Sequence, residues 1–174
     1  MELKMFESNK DSQDKKKKLV IGWFSFTCCE DSTILFTELL NDHYDEWTKV
    51  MEFRHIHALK TDNKLEDLDV AFIEGAVSSP TQEKEVIEIR QNSKYVVAIG
   101  SCACNGLPSA SRNEFADEDL NEKIQWYFDN FDYSKKVRKL DDVIKVDDNV
   151  DGCPMNVDTF FSVVKKYLDL FEIT

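Results

Sequence analysis

Leu19-Val20-Ile21-Gly22-Trp23-Phe24-Ser25-Phe26 is a continuous apolar run that ends abruptly at Thr27-Cys28-Cys29-Glu30-Asp31. It is strand-sized and does not alternate with polar residues, as expected of a strand buried on both faces. Working outward, the spans Met51–His55, Asp69–Glu74 and Tyr95–Ile99, and a shorter one near Val143–Val146, have the same Val-, Ile- and aromatic-rich character. Helical patterns separate them. From Ser32 to Met51, the positions Phe36, Leu39, Leu40, His43, Trp47, Val50 and Met51 share one helical face. Ser79-Pro80-Thr81-Gln82 reads as a capping box that opens a helix to about Asn92. Further helices are expected over roughly Glu118–Phe131 and from Val157 to Phe171, the last capped by Asn156. Strands alternating with helices predict an α/β fold: one domain built on a doubly wound parallel sheet, with its ligand beyond the carboxyl ends of the strands.

The 174-residue chain is long enough for one real core, and its 42% hydrophobic content is ordinary. No apolar stretch reaches the length of a membrane span. Residues 1–18 are polar and close on the lysine run Lys15–Lys18. They lack the order of a signal peptide and read as a solvated tail, with the domain over 19–174. A formal net charge of −12 opposes phosphate, which argues against a nucleic-acid partner. Five cysteines with no export signal predict a cytoplasmic chain whose thiols serve metal or redox chemistry rather than a disulfide framework.

Apart from Gly22, which lies inside the first strand, the five glycines and three prolines are concentrated at strand ends. Gly75 follows Glu74, Gly100 and Gly106 bracket Ser101-Cys102-Ala103-Cys104-Asn105, and Gly152 and Pro154 flank Cys153. All the cysteines occupy the same class of position. Cys28 and Cys29 follow the first strand, Cys102 and Cys104 follow the Tyr95–Ile99 strand, and Cys153 precedes the last helix. In a parallel sheet these loops open on one edge, so the fold itself gathers the thiols. Thiolate-held clusters are negative and are favoured by N–H donors and helix N-termini, such as that of the helix starting near Ser32.

Phe26-Thr27-Cys28-Cys29-Glu30, Glu74-Gly75-Ala76-Val77, Gly100-Ser101-Cys102-Ala103 and Gly152-Cys153-Pro154 together resemble the signature of [NiFe]-hydrogenase small subunits and of the related cluster-bearing subunit of respiratory complex I. The likeness is greatest to delta subunits of cytoplasmic NAD(P)-linked hydrogenases, the sulfhydrogenases, and runs from about Leu19 to the C-terminus. It implies a flavodoxin-like domain with one [4Fe-4S] cluster facing a [NiFe] large subunit, and electron exchange with iron–sulfur or flavin NAD(P)-reductase subunits. Cys28, Cys29, Cys102 and Cys153 are the ligands this implies, with Cys104 the rival for the fourth place. Glu30, Glu74, Gly75, Gly100, Ser101, Gly152 and Pro154 are then cofactor-side residues, the two carboxylates being candidates for a proton or interface network. Many such subunits carry a second, cluster-bearing domain, and this chain is expected to be a minimal form.

One departure from the pattern concerns the first cysteine segment. Hydrogenase small subunits usually open with Cys-x-x-Cys, whereas Ser25 stands three residues before Cys28. The adjacent pair resembles the complex I arrangement and requires a bent loop, because neighbours on an extended chain point to opposite sides. An oxygen ligand from Ser25 or Asp31 is the alternative, although Asp31 reads first as a helix N-terminal acid. His55-Ile56-His57 has metal-compatible spacing but no evident third ligand. Other readings are a complex I-like subunit of a quinone- or ferredoxin-linked oxidoreductase, a free-standing flavodoxin-like module, a zinc site or a dithiol oxidoreductase. The acids at Glu30 and Asp31 oppose a flavin phosphate, and the zinc and dithiol readings lack their usual Cys-x-x-Cys.

Overall fold

The computed structural model describes residues 17–115 and 121–173. Most of the tail read over 1–18 and the start of the helix expected at Glu118 lie outside those residues. Strands β1 (Leu19–Ser25), β2 (Met51–Ile56), β3 (Leu68–Glu74), β4 (Ser93–Ile99) and β5 (Asp148–Val150) form one sheet in the order β2-β1-β3-β4-β5. Every pairing is parallel. This is the flavodoxin-like order, and its switch point lies between β1 and β3. The continuous apolar runs have the expected cause, since every residue of β3 is buried.

Helices α1 (Asp31–Asp42), α2 (Tyr44–Val50) and α6 (Val157–Leu170) accompany the core that covers one face, while α3 (Pro80–Gln91) covers the other. Trp23 anchors the first core. It is stacked on Phe36 at 4.1 Å and 7° and meets Phe160 edge-on at 6.1 Å. Each such buried side chain is worth roughly 1.5–3 kcal/mol. Ser79 caps α3, accepting from the Gln82 N–H at 3.1 Å, while the Gln82 side chain accepts from the Ser78 N–H at 2.9 Å rather than from the Ser79 N–H that the capping box predicts; Asn156 caps α6 through the Thr159 N–H at 2.8 Å.

Three expectations need correction. The helix read as continuous from Ser32 to Met51 breaks at His43, whose N–H closes α1 on the Leu39 carbonyl and whose ring stacks on Trp47 at 5.5 Å. The fifth strand is Asp148–Val150, not Val143–Val146. Val143 and Val146 instead pack against the second core after a 3-10 turn at Leu140–Asp142, and Asp147 and Asp148 spend their carboxylates on the Val96 N–H and on Lys166. The segment carrying Cys102 and Cys104 is a short helix, α4 (Gly100–Asn105), rather than a loop. Helix α5 (Glu122–Asn130) completes the six described α-helices.

Candidate metal centre

Three strand ends deliver thiols to one cleft at the carboxyl edge. Cys28 and Cys29 come from the β1–α1 loop, Cys102 from α4 and Cys153 from the β5–α6 loop, and all four line the cleft together with Asp31, Ser32, Glu74, Ile99, Gly100, Ser101 and Gly152. The adjacent pair reaches it because the chain bends at Cys28 and turns again at Glu30, whose φ is 63°. Cys102 is buried and Cys28 half-buried, whereas Cys29 and Cys153 are exposed. Two sulfurs therefore form the floor of the site and two its rim. On the rim, donor atoms of Cys29, Asp31 and Cys153 all lie within 4.8 Å of one another.

Helix geometry separates Cys102 from Cys104. Residues two apart on a helix lie roughly 200° around its axis. The Cys102 side chain joins Ala76 and Val137, with Cys28 packed against them. Cys104 turns instead into the second core, where its thiol faces the Ala98 carbonyl at 3.6 Å and burial pushes it up to about 12. Cys28 is also pushed up to about 12, first by burial and then by the Glu74 charge, with the Glu30 backbone N–H pulling the other way. Burial and the neighbouring Cys29 raise Cys153. Thiols of this kind are held protonated until a cation replaces the proton.

Backbone shape brings the loops this close together. Gly75 has φ +96°, and a Cβ there would meet Phe26 C at 2.8 Å and Thr27 N at 2.9 Å. The β1–α1 loop lies directly over it, held by Thr27 N–H to the Ala76 carbonyl at 3.1 Å and Ala76 N–H to the Thr27 carbonyl at 3.0 Å. Gly152 has φ +121°, and a Cβ there would come within 2.5 Å of the Pro154 carbonyl oxygen. Asp151 ties this last loop to α4 by accepting from Ser101 Oγ at 2.9 Å and Asn105 Nδ2 at 2.9 Å. With its own loop's Gly152 N–H, these bonds hold the Asp151 carboxyl below the usual range, the Asn105 amide contributing most.

Glu74 has a defined structural task. It is 3% exposed and accepts from Ser32 N–H at 3.1 Å, Thr33 N–H at 2.9 Å and Thr33 Oγ1 at 2.6 Å. It caps α1 from a neighbouring strand, while Glu30, in the cap position, makes no side-chain cap bond. The positive end of α1, expected to face the thiols, is taken up by this carboxylate. Thr33 Oγ1 also accepts from Trp23 Nε1 at 2.8 Å and lies 2.9 Å from Ser25 Oγ, which engages Ser25 away from the thiols. Of the cofactor-side residues read from the sequence, Glu74, Gly100, Ser101 and Gly152 line the cleft. Glu30, Gly75 and Pro154 do not, and Glu30 lines a separate cavity with His55 and His57. His55 stacks on Phe24 at 4.2 Å, and burial lowers its pKa. Asp31, the alternative oxygen ligand read from the sequence, belongs to the cleft wall, as does Ser32, whose sequence context did not distinguish it from an ordinary first-turn residue.

A soft, all-thiol floor with mixed thiol and carboxylate donors at the rim suits iron–sulfur or zinc ligation, not an oxygen-preferring cation. The donor set therefore fits the cluster expected from the sequence. Fold and site together define a class: parallel α/β proteins that gather cysteines from three loops at the switch-point edge of the sheet.

Residues 28–167 match the family described as NADH ubiquinone oxidoreductase, 20 Kd subunit, and the chain belongs to that family. The delta subunit of sulfhydrogenase 2 from Pyrococcus furiosus is 25% identical over 150 residues, covering 83% of this chain and 60% of that one. The delta subunit of the NAD-reducing hydrogenase HoxS from Cupriavidus necator is 26% identical over 110 residues, covering 55% and 53%. The chain spans about half the length of the curated relatives it matches. A chain of the NAD+-reducing [NiFe]-hydrogenase in the H2-reduced state shares the fold, with a TM-score of 0.72 at 21% identity over 87% of this chain and 92% of that one. A chain of the [NiFeSe] hydrogenase from Desulfovibrio vulgaris Hildenborough superposes with a TM-score of 0.58 at 18% identity, covering 90% and 61%. The resemblance read from the four cysteine- and glycine-bearing segments is upheld at the level of the family. Among the described residues, no helix is long and apolar enough to cross a membrane.

Proposed function

We propose that this chain is the electron-relaying small subunit of a hydrogenase-type complex and holds one [4Fe-4S] cluster through Cys28, Cys29, Cys102 and Cys153. The observation that carries the reading is the convergence of these four thiols, from three separate loops, on one cleft, while Cys104 turns away from it. Relatives described as hydrogenase subunits support the same reading. When bound, such a cluster supplies one-electron transfer. The chain's own residues hold and shield it. Cys102 and Cys28 fix the inner side against Ala76 and Val137, and Cys29 and Cys153 close the rim. Glu74 and Asp151 brace the α1 and α4 ends from which the ligand loops depart. The exposed rim leaves the site open on one side. A [NiFe] large subunit is the partner proposed to cover that opening, with iron–sulfur or flavin NAD(P)-reductase subunits further along, in a cytoplasmic complex.

Anoxic purification of the full chain, alone and with its large-subunit partner, followed by iron and acid-labile sulfide determination and EPR of the dithionite-reduced protein, tests the proposal. About four irons per chain with a reduced-cluster signal is the expected result. The close grouping of Cys29, Asp31 and Cys153 favours a second reading, a mononuclear site. One zinc and no labile sulfide would establish that reading and overturn the first.

A further inference from the structure

Ser109 opens the 3-10 turn Ser109–Glu114 that follows α4, and its hydroxyl faces two acceptors. Ser109 Oγ is 3.0 Å from the Thr27 carbonyl oxygen and 3.2 Å from Cys102 Sγ. A hydroxyl has one hydrogen to give. The Thr27 carbonyl already accepts from the Ala76 N–H at 3.0 Å, so the Ser109 hydrogen can turn to the sulfur without leaving a half-buried carbonyl unpaired. Cys102 is 7% exposed and sits in a small apolar cluster with Ala76 and Val137. A hydrogen bond to a charged sulfur gains strength in such surroundings.

We infer that Ser109 is a tuning residue of the proposed centre, donating a hydrogen bond to the Cys102 sulfur when that sulfur ligates metal; the inference rests on the cluster reading above. Nothing in the sequence singles Ser109 out, because it lies seven positions beyond Cys102 and outside every cysteine-bearing segment. Its effect has a definite sign. One-electron reduction adds negative charge to the cluster and its sulfurs, and a donor to sulfur favours the more negative form. The hydroxyl therefore raises the midpoint potential of the centre.

The test compares the wild-type full chain with Ser109→Ala and with the isosteric pair Ser109→Thr and Ser109→Val, all loaded under anoxic conditions. Iron and sulfide content is measured beside an EPR-monitored redox titration. The expected result is a wild-type midpoint in Ser109→Thr and a more negative midpoint in Ser109→Ala and Ser109→Val, at equal iron content. One midpoint shared by all four proteins, or equal shifts in the Thr and Val variants, overturns the inference and leaves the cluster reading intact. A wild-type chain that takes up no iron overturns both. Should the hydroxyl-free variants fail to hold iron, ENDOR of the reduced wild-type and Ser109→Thr proteins in H2O and D2O decides. A shared exchangeable proton coupling supports the hydrogen bond, and its absence from either refutes it.

Discussion

Glu74→Gln separates a structural carboxylate from a proton-carrying one. The native carboxylate accepts from two backbone N–H groups and one hydroxyl at the start of α1. Glutamine keeps the size and one accepting oxygen. Turned so that this oxygen serves Thr33, it sets an NH2 group against the Ser32 N–H. A lost hydrogen bond to a charged group is worth about 1.5–3 kcal/mol. The missing negative charge at the helix N-terminus adds about 0.3–1 kcal/mol. The substitution should therefore cost about 2–4 kcal/mol, a large share of the roughly 5–15 kcal/mol that holds a domain together. Urea unfolding of the reduced, metal-free chain, followed by tryptophan fluorescence, reads this directly, because Trp23 is bonded to Thr33 in the same network. A Glu74→Gln unfolding free energy within about 0.5 kcal/mol of wild type would refute the cap assignment.

Replacing Cys28, Cys102 or Cys153 singly by alanine should drop iron from about four per chain to near zero, while Cys104→Ala keeps it; iron loss in Cys104→Ala would show that the ligand assignment is wrong. Gly152→Ala forces a side chain onto a φ of +121° and against the Pro154 carbonyl oxygen. It should cost roughly 1–3 kcal/mol and lower iron uptake, as checked by denaturation and metal analysis. Asp151 should add a pH dependence. Its folded-state pKa is depressed below the ordinary carboxyl value of 3.8, so its stabilising contribution is fully present above that value and disappears as the pH falls through the depressed one. Acid unfolding of Asp151→Ala should be less steep in that window, and identical curves would remove Asp151 as a clamp.

The sheet was legible because its strands are buried on both faces and so read as unbroken apolar runs. The thiol cleft was legible because glycine, proline and cysteine cluster at the ends of those strands. The failures share a physical origin. β5 is a short edge strand whose residues Asp148 and Asn149 carry no hydrophobic signal, while the apolar Val143 and Val146 pack as a loop under the second core. The helix α4 consists of glycine, serine, alanine, cysteine and asparagine, which give no amphipathic pattern to read. The break at His43 was hidden because His43 and Trp47 still fall on the same side and stack. Glu74 was recognised as a site residue, but its bonds to Ser32 and Thr33 span some forty positions and depend on which strand lies beside α1.

The same long-range bonds bear on the electrostatics of the centre. A negative cluster would gain from a free helix N-terminus, yet Glu74 occupies the first N–H groups of α1. The Ser101 N–H goes to the Gly152 carbonyl at 2.8 Å and the Met155 N–H to Ser32 Oγ at 3.2 Å, so these two backbone donors are also taken, while the Glu30 N–H is left to the Cys28 sulfur. Among the described residues, the cleft wall contains Asp31 and Glu74 and no lysine or arginine. Surroundings of this kind penalise each added electron and push a cluster towards low potential. Against that background a single neutral donor such as Ser109, aimed at the buried sulfur, has large leverage. A covering subunit has more, because cationic or N–H groups placed over Cys29 and Cys153 would meet the two exposed cysteines of the site. The midpoint of the isolated loaded chain should therefore lie below that of the assembled complex, and equal midpoints would show that the exposed rim is not where the partner acts.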